Sequence, residues 1–254
     1  MKIDLVTCNP RQVDYPLFRH NLLFMYQYFN QVFIVLTQGN RPDISEWLTK
    51  AKEYSKVRFL KQPPTDGKSD WRNLAMNEAL IHSKSDYILF MEQDFLLKNE
   101  KMLEFINKYD RQFLGFMEGE RIHPAFSLVK RDLIDKTSKD FSANPPYYDH
   151  FGKFFQEIKK LTDMRFLEEF SFEKRKDWYH LNGLTQNYHC FKEGQPFYRK
   201  EEFLTYNHGC LMLPIDHNPD FKPLMEGIDK TFGLGDIKSI TNFFPKEVKN
   251  SGTV

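Results

Sequence analysis

Two acids one residue apart, Glu92 and Asp94, follow an almost wholly apolar run, Asp86-Tyr87-Ile88-Leu89-Phe90-Met91. In an extended chain the side chains at i and i+2 point the same way. Both carboxylates can then converge on one hard cation. A divalent metal with oxygen ligands, held by one or two carboxylates plus substrate phosphates, is the expected use of such a pair. The plainer reading is two solvated acids where a strand surfaces. Upstream, Gly67-Lys68-Ser69-Asp70-Trp71-Arg72-Asn73 reads as a glycine-containing loop entering a helix. A helix N-terminus presents free N–H groups and a partial positive charge, so it favours phosphate. Arg72 adds a bidentate phosphate partner. With this helix start so close in the chain, the two acids favour a metal–diphosphate corner over a solvated pair.

The flanking segments must position that corner. Ile3–Cys8 is a short apolar run closed by Asn9-Pro10, a turn signal. Residues 15–29 have helical spacing, with Asp14 to cap them and Pro16 in the first turn. Further strands are expected at Gln31–Leu36, Lys56–Leu60, Asp86–Met91 and Phe113–Met117. Helices are expected at Asp43–Tyr54, from Ser69 or Asp70 to about His82, and at Asn99–Tyr109. His123–Lys136 reads as a strand and then a short helix, Asn144-Pro145-Pro146 as a break, and Tyr147–Leu161 as helical. From about residue 165 the chain is aromatic, basic and irregular. Strands alternating with helices predict an α/β layer structure with a mostly parallel sheet. Apolar strands without polar alternation fit a sheet covered on both faces. Ligands gather at the carboxyl ends of such strands, where Asn9, Gln38 and the Glu92/Asp94 pair fall.

The 254 residues suit a single domain with a sizeable core. Hydrophobic residues at 41% and charged ones at 28% argue against wholesale disorder. A net charge of +1 gives no global attraction to nucleic acid or membrane. Cys8, Cys190 and Cys210 are too few and too scattered for a disulfide framework or a zinc site, so a reducing, cytoplasmic setting is expected. MKIDLVTCNP has no long apolar stretch behind its lysine and does not read as a signal peptide. No apolar run is long enough for a transmembrane helix.

Gly67, Ser69, Arg72-Asn73 and Ala79, followed by Asp86-Tyr87-Ile88-Leu89-Phe90-Met91-Glu92-Gln93-Asp94, resemble the core of GT-A fold glycosyltransferases, especially the family-2-like group. Those show a Gly, then Ala-Arg-Asn, a helix, and an apolar strand ending in Asp-X-Asp. The resemblance runs from residue 3 to about 135 and is best over residues 67–97. Trp71 stands where a small residue is usual, and Glu92 replaces the first Asp. The acidic pair that contacts the base after the second strand is absent; this chain has Thr37-Gln38-Gly39-Asn40. The resemblance implies a GT-A type α/β fold. Its sheet is Rossmann-like and mostly parallel, flanked by helices, with an irregular C-terminal acceptor-side portion. One domain would span 1–254, its nucleotide-sugar half ending near 135 and its acceptor-side half beginning near 136.

The resemblance also implies roles. Asp94 is the firmer metal ligand, for Mn2+ or Mg2+, with Glu92 beside it. Arg72 and Asn73 face the diphosphate of a nucleotide-sugar donor, most expectedly a UDP-sugar. Thr7, Asn9 and Arg11, at and just past the end of the first strand, contact the nucleotide, as does Gln38. Inverting members place an acidic base at a helix start beyond the fifth strand, where Asp149 matches; Glu118 and Glu120 are rivals. A late histidine often completes the metal site, and His208 is preferred here over His180, His189 and His217. Residues 172–191 interleave basic and aromatic side chains, so Trp178 and Tyr179 can line an acceptor site. A saccharide, a small molecule, a protein or a modified DNA base all fit as acceptor. Two alternatives stand beside this reading: a nucleotidyltransferase of related fold, and a non-catalytic nucleotide-sugar-binding protein. The first expects a Gly-rich basic loop after the first strand, which CNPRQVDYP lacks.

Overall fold

The computed structural model describes residues 1–8, 27–36, 56–64, 71–92, 95–97, 100–118, 121–144, 151–162, 165–166 and 178–180. In chain order its strands are β1 (Ile3–Cys8), β2 (Gln31–Leu36), β3 (Val57–Lys61), β4 (Tyr87–Met91), β5 (Phe95–Leu97), β6 (Phe113–Glu118), β7 (Arg121–Lys130), β8 (Arg165–Phe166) and β9 (Trp178–His180). The helices are α1 (Trp71–His82), α2 (Lys101–Asn107), α3 (Arg131–Ile134) and α4 (Gly152–Leu161). Seven strands form one sheet in the order β3-β2-β1-β4-β7-β6-β8, and β5 pairs with β9 separately. Strands β3, β2, β1 and β4 are parallel. β7 then enters antiparallel to both β4 and β6, and β8 returns parallel to β6. The α/β expectation holds, and so does the mostly parallel sheet flanked by helices, with β7 as its antiparallel insertion.

Both faces of the sheet are covered, which is why its central strands show no polar alternation. On one face Val6, Phe33, Val35, Ile88 and Phe90 pack with Ala75, Met76, Ala79 and Leu80 of α1 and with Phe154, Phe155 and Ile158 of α4. On the other face Ile3, Leu5, Val32, Ile34, Leu89 and Met91 pack with Met102, Leu103 and Ile106 of α2. No described helix is long and apolar enough to cross a membrane.

Asp4 organises the amino edge of the sheet. It is wholly buried. It accepts hydrogen bonds from Ser83 Oγ (2.6 Å), Ser85 Oγ (2.7 Å), the Gln31 backbone N–H (3.0 Å) and Asn30 Nδ2 (3.2 Å). One carboxylate thus ties β1 to the start of β2 and to the turn between α1 and β4. Arg131 closes the same turn, donating to the carbonyls of Leu80 (3.1 Å) and Ser83 (3.4 Å). A cation there also complements the negative end of α1. Asp4→Ala strands two hydroxyls and an N–H in the core, so it is expected to cost on the order of 3 kcal/mol in urea unfolding. A loss below about 1 kcal/mol would show that the network contributes little.

Several expected boundaries moved. β1 and β2 coincide with their expected limits, and β3 starts one residue later than expected. α4 begins at Gly152, directly after the left-handed Phe151 (φ 67°), and residues 147–150 of the expected helix lie outside the described residues. The short strands β5, β8 and β9 have two or three residues each, below what hydrophobic periodicity can signal. The expected helix at 43–54, and most of that at 15–29, lie outside the described residues.

Candidate functional site

Since β1, β2, β3 and β4 run parallel, their carboxyl ends share one edge. Val6 lies beside Phe90 in the register, so Thr7 and Cys8 follow on β1 as Met91 and Glu92 follow on β4. The start of α1 reaches the same edge. Its far end is fixed at the amino edge, where Ser83 meets Asp4. A helix of 12 residues spans about 18 Å, close to the roughly 20 Å length of a six-residue strand. Arg72 and Asn73, in the first turn, therefore belong to the carboxyl edge.

Thr7 is buried, and its Oγ1 has no hydrogen-bond partner among the described residues. Glu92 is half-buried directly after β4, its backbone N–H donating to Ala125 O at 3.0 Å. Its carbonyl accepts from Phe95 N at 3.2 Å. An extended strand makes no i to i+3 bond, so strand alternation ends at Glu92. Arg72 and Asn73 are half-buried. Asn73 Oδ1 accepts from the Phe141 backbone N–H (2.9 Å) and from Asn77 Nδ2 (3.0 Å). The carboxyl edge thus brings together Thr7, Arg72, Asn73 and Glu92. Asn9, Arg11, Gln38, Asp94, Asp149 and His208 lie outside the described residues.

Two features of this edge escaped sequence reasoning. Gln62, just past β3, is buried, and its Oε1 has no partner among the described residues, while its backbone N–H donates to Leu36 O (3.0 Å). A polar residue between a strand and Pro63-Pro64 was its signal in the sequence. An unpaired buried acceptor costs about 1–3 kcal/mol, so Thr7 and Gln62 mark uncommitted polar capacity at this edge. The second feature is the β5–β9 pair. Phe95 is opposite His180, Leu96 opposite Tyr179 and Leu97 opposite Trp178. The aromatic late segment therefore returns to the strand that directly follows the two acids. Among the late histidines, His180 is the one this register brings next to the acid motif.

The donors available here are hard oxygens, the carboxylate of Glu92 and the hydroxyl of Thr7, which suit Mg2+ or Mn2+ better than a thiophilic metal. Among the described residues no three His, Cys, Asp or Glu converge. A separate cleft of about 620 Å3 opens at the amino edge, lined by Lys84, Asp86, Tyr87, Lys108, Asp110 and Arg131 among others. Arg131 there is engaged by the carbonyls of Leu80 and Ser83, and Tyr87 by Asp110. Burial, then a hydrogen bond to Asp110 (3.1 Å), push the Tyr87 hydroxyl up to about 12, so it stays protonated.

No family model matches the sequence, and no curated protein does. Solved structures to which the chain is similar include a mannosyltransferase from Pyrobaculum calidifontis in complex with GDP-Man and Mn2+. That match has 11% identity over 94% of this chain and 72% of that one, with a TM-score of 0.49. TarS of S. aureus matches at 14% identity over 98% and 76%, TM-score 0.48. Glucosyl-3-phosphoglycerate synthase from Mycobacterium tuberculosis in complex with uridine diphosphate matches at 10% identity over 65% and 69%, TM-score 0.44. In each case the likeness is one of chain course.

Proposed function

We propose that this chain is a metal-dependent glycosyltransferase that moves a sugar from a nucleotide-sugar, most simply a UDP-sugar, to an acceptor hydroxyl with inversion. The observation that carries this reading is the meeting, at one carboxyl edge, of a helix start bearing Arg72 with a strand followed directly by Glu92. Breaking the sugar–phosphate bond leaves negative charge on the departing diphosphate. Arg72 and the first-turn N–H groups of α1 stabilise that charge as it develops. Glu92 and Asp94 would hold the metal, which would supply Lewis-acid stabilisation of the departing diphosphate. Asp149 takes the proton from the acceptor hydroxyl as its oxygen attacks the anomeric carbon. Thr7, Asn9, Arg11 and Gln38 line the nucleoside side, with His208 completing the metal ligands. Trp178 and Tyr179 form the acceptor side, which the β5–β9 register supports. Scattered cysteines support a cytoplasmic setting.

The test is a panel of nucleotide-sugars with Mn2+ or Mg2+, read by thermal unfolding. At a hundred times its Kd a ligand adds about 2.7 kcal/mol. For a chain of this size that is a rise of roughly 5–10 °C. One donor is expected to give such a rise only with metal present. No rise with any donor would count against the proposal.

A further inference from the structure

We infer that Asn73 is a positioning residue, whose carboxamide holds the segment entering α4 against the start of α1, and not a ligand of the donor phosphates. The inference rests on the reading above for what is being positioned; the contacts themselves do not.

The backbone N–H of Phe141 needs an acceptor, which sets the amide orientation of Asn73: Oδ1 faces Phe141 at 2.9 Å. Asn77, one turn along α1, donates Nδ2 to the same Oδ1 (3.0 Å), to Asn73 O (3.0 Å) and to Lys139 O (3.0 Å). Two amides of one helix therefore grip both ends of the stretch from Lys139 to Phe141.

That stretch in turn fixes the entry to α4. Phe151 N–H donates to Phe141 O (2.8 Å), and Lys153 N–H to Ser142 O (3.2 Å). Lys153 Nζ pairs with Asp140 (2.9 Å), whose Oδ1 also receives Ser142 N–H (3.0 Å). Burial opposes ionisation of Asp140, but the hydrogen bonds from Ser142 and Lys153 outweigh it and hold its carboxyl below the usual range. Phe141 is wholly buried, with its ring 5.4 Å from Phe90, 5.1 Å from Phe151 and 4.6 Å from Phe154.

Backbone strain marks both ends of this strap. Lys139 (φ 58°) and Phe151 (φ 67°) are the positive-φ residues other than glycine among those described. A bulky side chain keeps that conformation only where its surroundings over-determine it. Here Asn77 holds the carbonyl of Lys139, and Phe141, itself held by Asn73, holds the N–H of Phe151. Asp149 is two residues before Phe151 in the chain, and Arg72 directly precedes Asn73. One side-chain oxygen thus couples the helix start assigned to the diphosphate, through Phe141, with Phe151 at the start of α4.

Asn73→Asp separates the two roles. It keeps an acceptor for Phe141 N–H but loses the N–H2 group and adds a negative charge that a direct contact with the donor phosphates would not tolerate. Amide hydrogen exchange is read at Phe141 and Phe151, with donor affinity from the metal-dependent thermal shift and turnover where a donor is found. Asn73→Ala is expected to speed exchange at both amides at least tenfold and to lower turnover at least tenfold, with donor affinity within threefold of the parent. Asn73→Asp is expected to restore exchange and turnover to within threefold, at unchanged donor affinity. Unaltered exchange in Asn73→Ala, or a tenfold loss of donor affinity in Asn73→Asp, would overturn the inference. If Asn73→Ala does not fold, Asn73→Asp decides by itself on the same criteria. If the parent binds no donor, the sugar-transfer reading fails, while the exchange measurements still decide whether Asn73 holds the strap.

Discussion

Asp94→Ala is expected to lower metal-dependent turnover about a thousandfold and to remove the metal-dependent thermal shift with it. A divalent cation on two phosphates supplies several kcal/mol of charge stabilisation as the bond breaks, and about 4 kcal/mol is a factor of a thousand. A single carboxylate that anchors such an ion can remove most of that. Glu92→Ala is expected to be milder, about tenfold, because Glu92 directly follows β4 and its backbone is held by Ala125 and Phe95 whatever its side chain does. Parallel assays with Mn2+, with Mg2+ and with chelator separate the two. An Asp94→Ala protein that matches the parent in all three would remove the metal from the account.

The next largest effect is expected at Asp149. A general base contributes typically about 10² to 10⁴ in rate, so Asp149→Asn should lose turnover in that range and keep donor affinity. The sign of the pH dependence follows from the chemistry. The base works only when ionised, so turnover in the parent falls as pH drops through the carboxyl pKa. The Asp149→Asn variant, with no carboxyl to titrate there, lacks that limb. Glu118→Gln and Glu120→Gln serve as controls. Full loss in either, with Asp149→Asn active, would move the base to that residue.

The central strands were legible because they are buried on both faces. Gln31–Leu36 is apolar without alternation and is bounded by polar residues on both sides, so periodicity and punctuation agree on β2. The same holds for Ile3–Cys8, which ends against Asn9-Pro10. Legibility failed where long-range contacts decide. Nothing local in Asn73 announces a bond to Phe141, 68 residues away. Phe151 has no local reason to take a left-handed φ. It does so inside a cluster of phenylalanines, and α4 starts directly after it. At Glu92, directly after β4, the chain leaves the extended course that its residue types suggest. The bond from Phe95 back to Glu92 replaces extended alternation, and β9, far along the chain, supplies the partner for β5. Gln62 was passed over since a lone polar residue before Pro-Pro looks like loop, and only its burial and unpaired Oε1 distinguish it.

The most direct measurement of the central claim is product analysis on the purified protein with nucleotide-sugars and Mn2+ or Mg2+. Slow hydrolysis of one donor to nucleoside diphosphate and free sugar is expected, dependent on metal and absent in Asp94→Ala. Release of nucleoside monophosphate and sugar phosphate would mean that the bond between the two phosphates is broken, the chemistry of a nucleotidyl-transfer site, and would contradict sugar transfer at this edge.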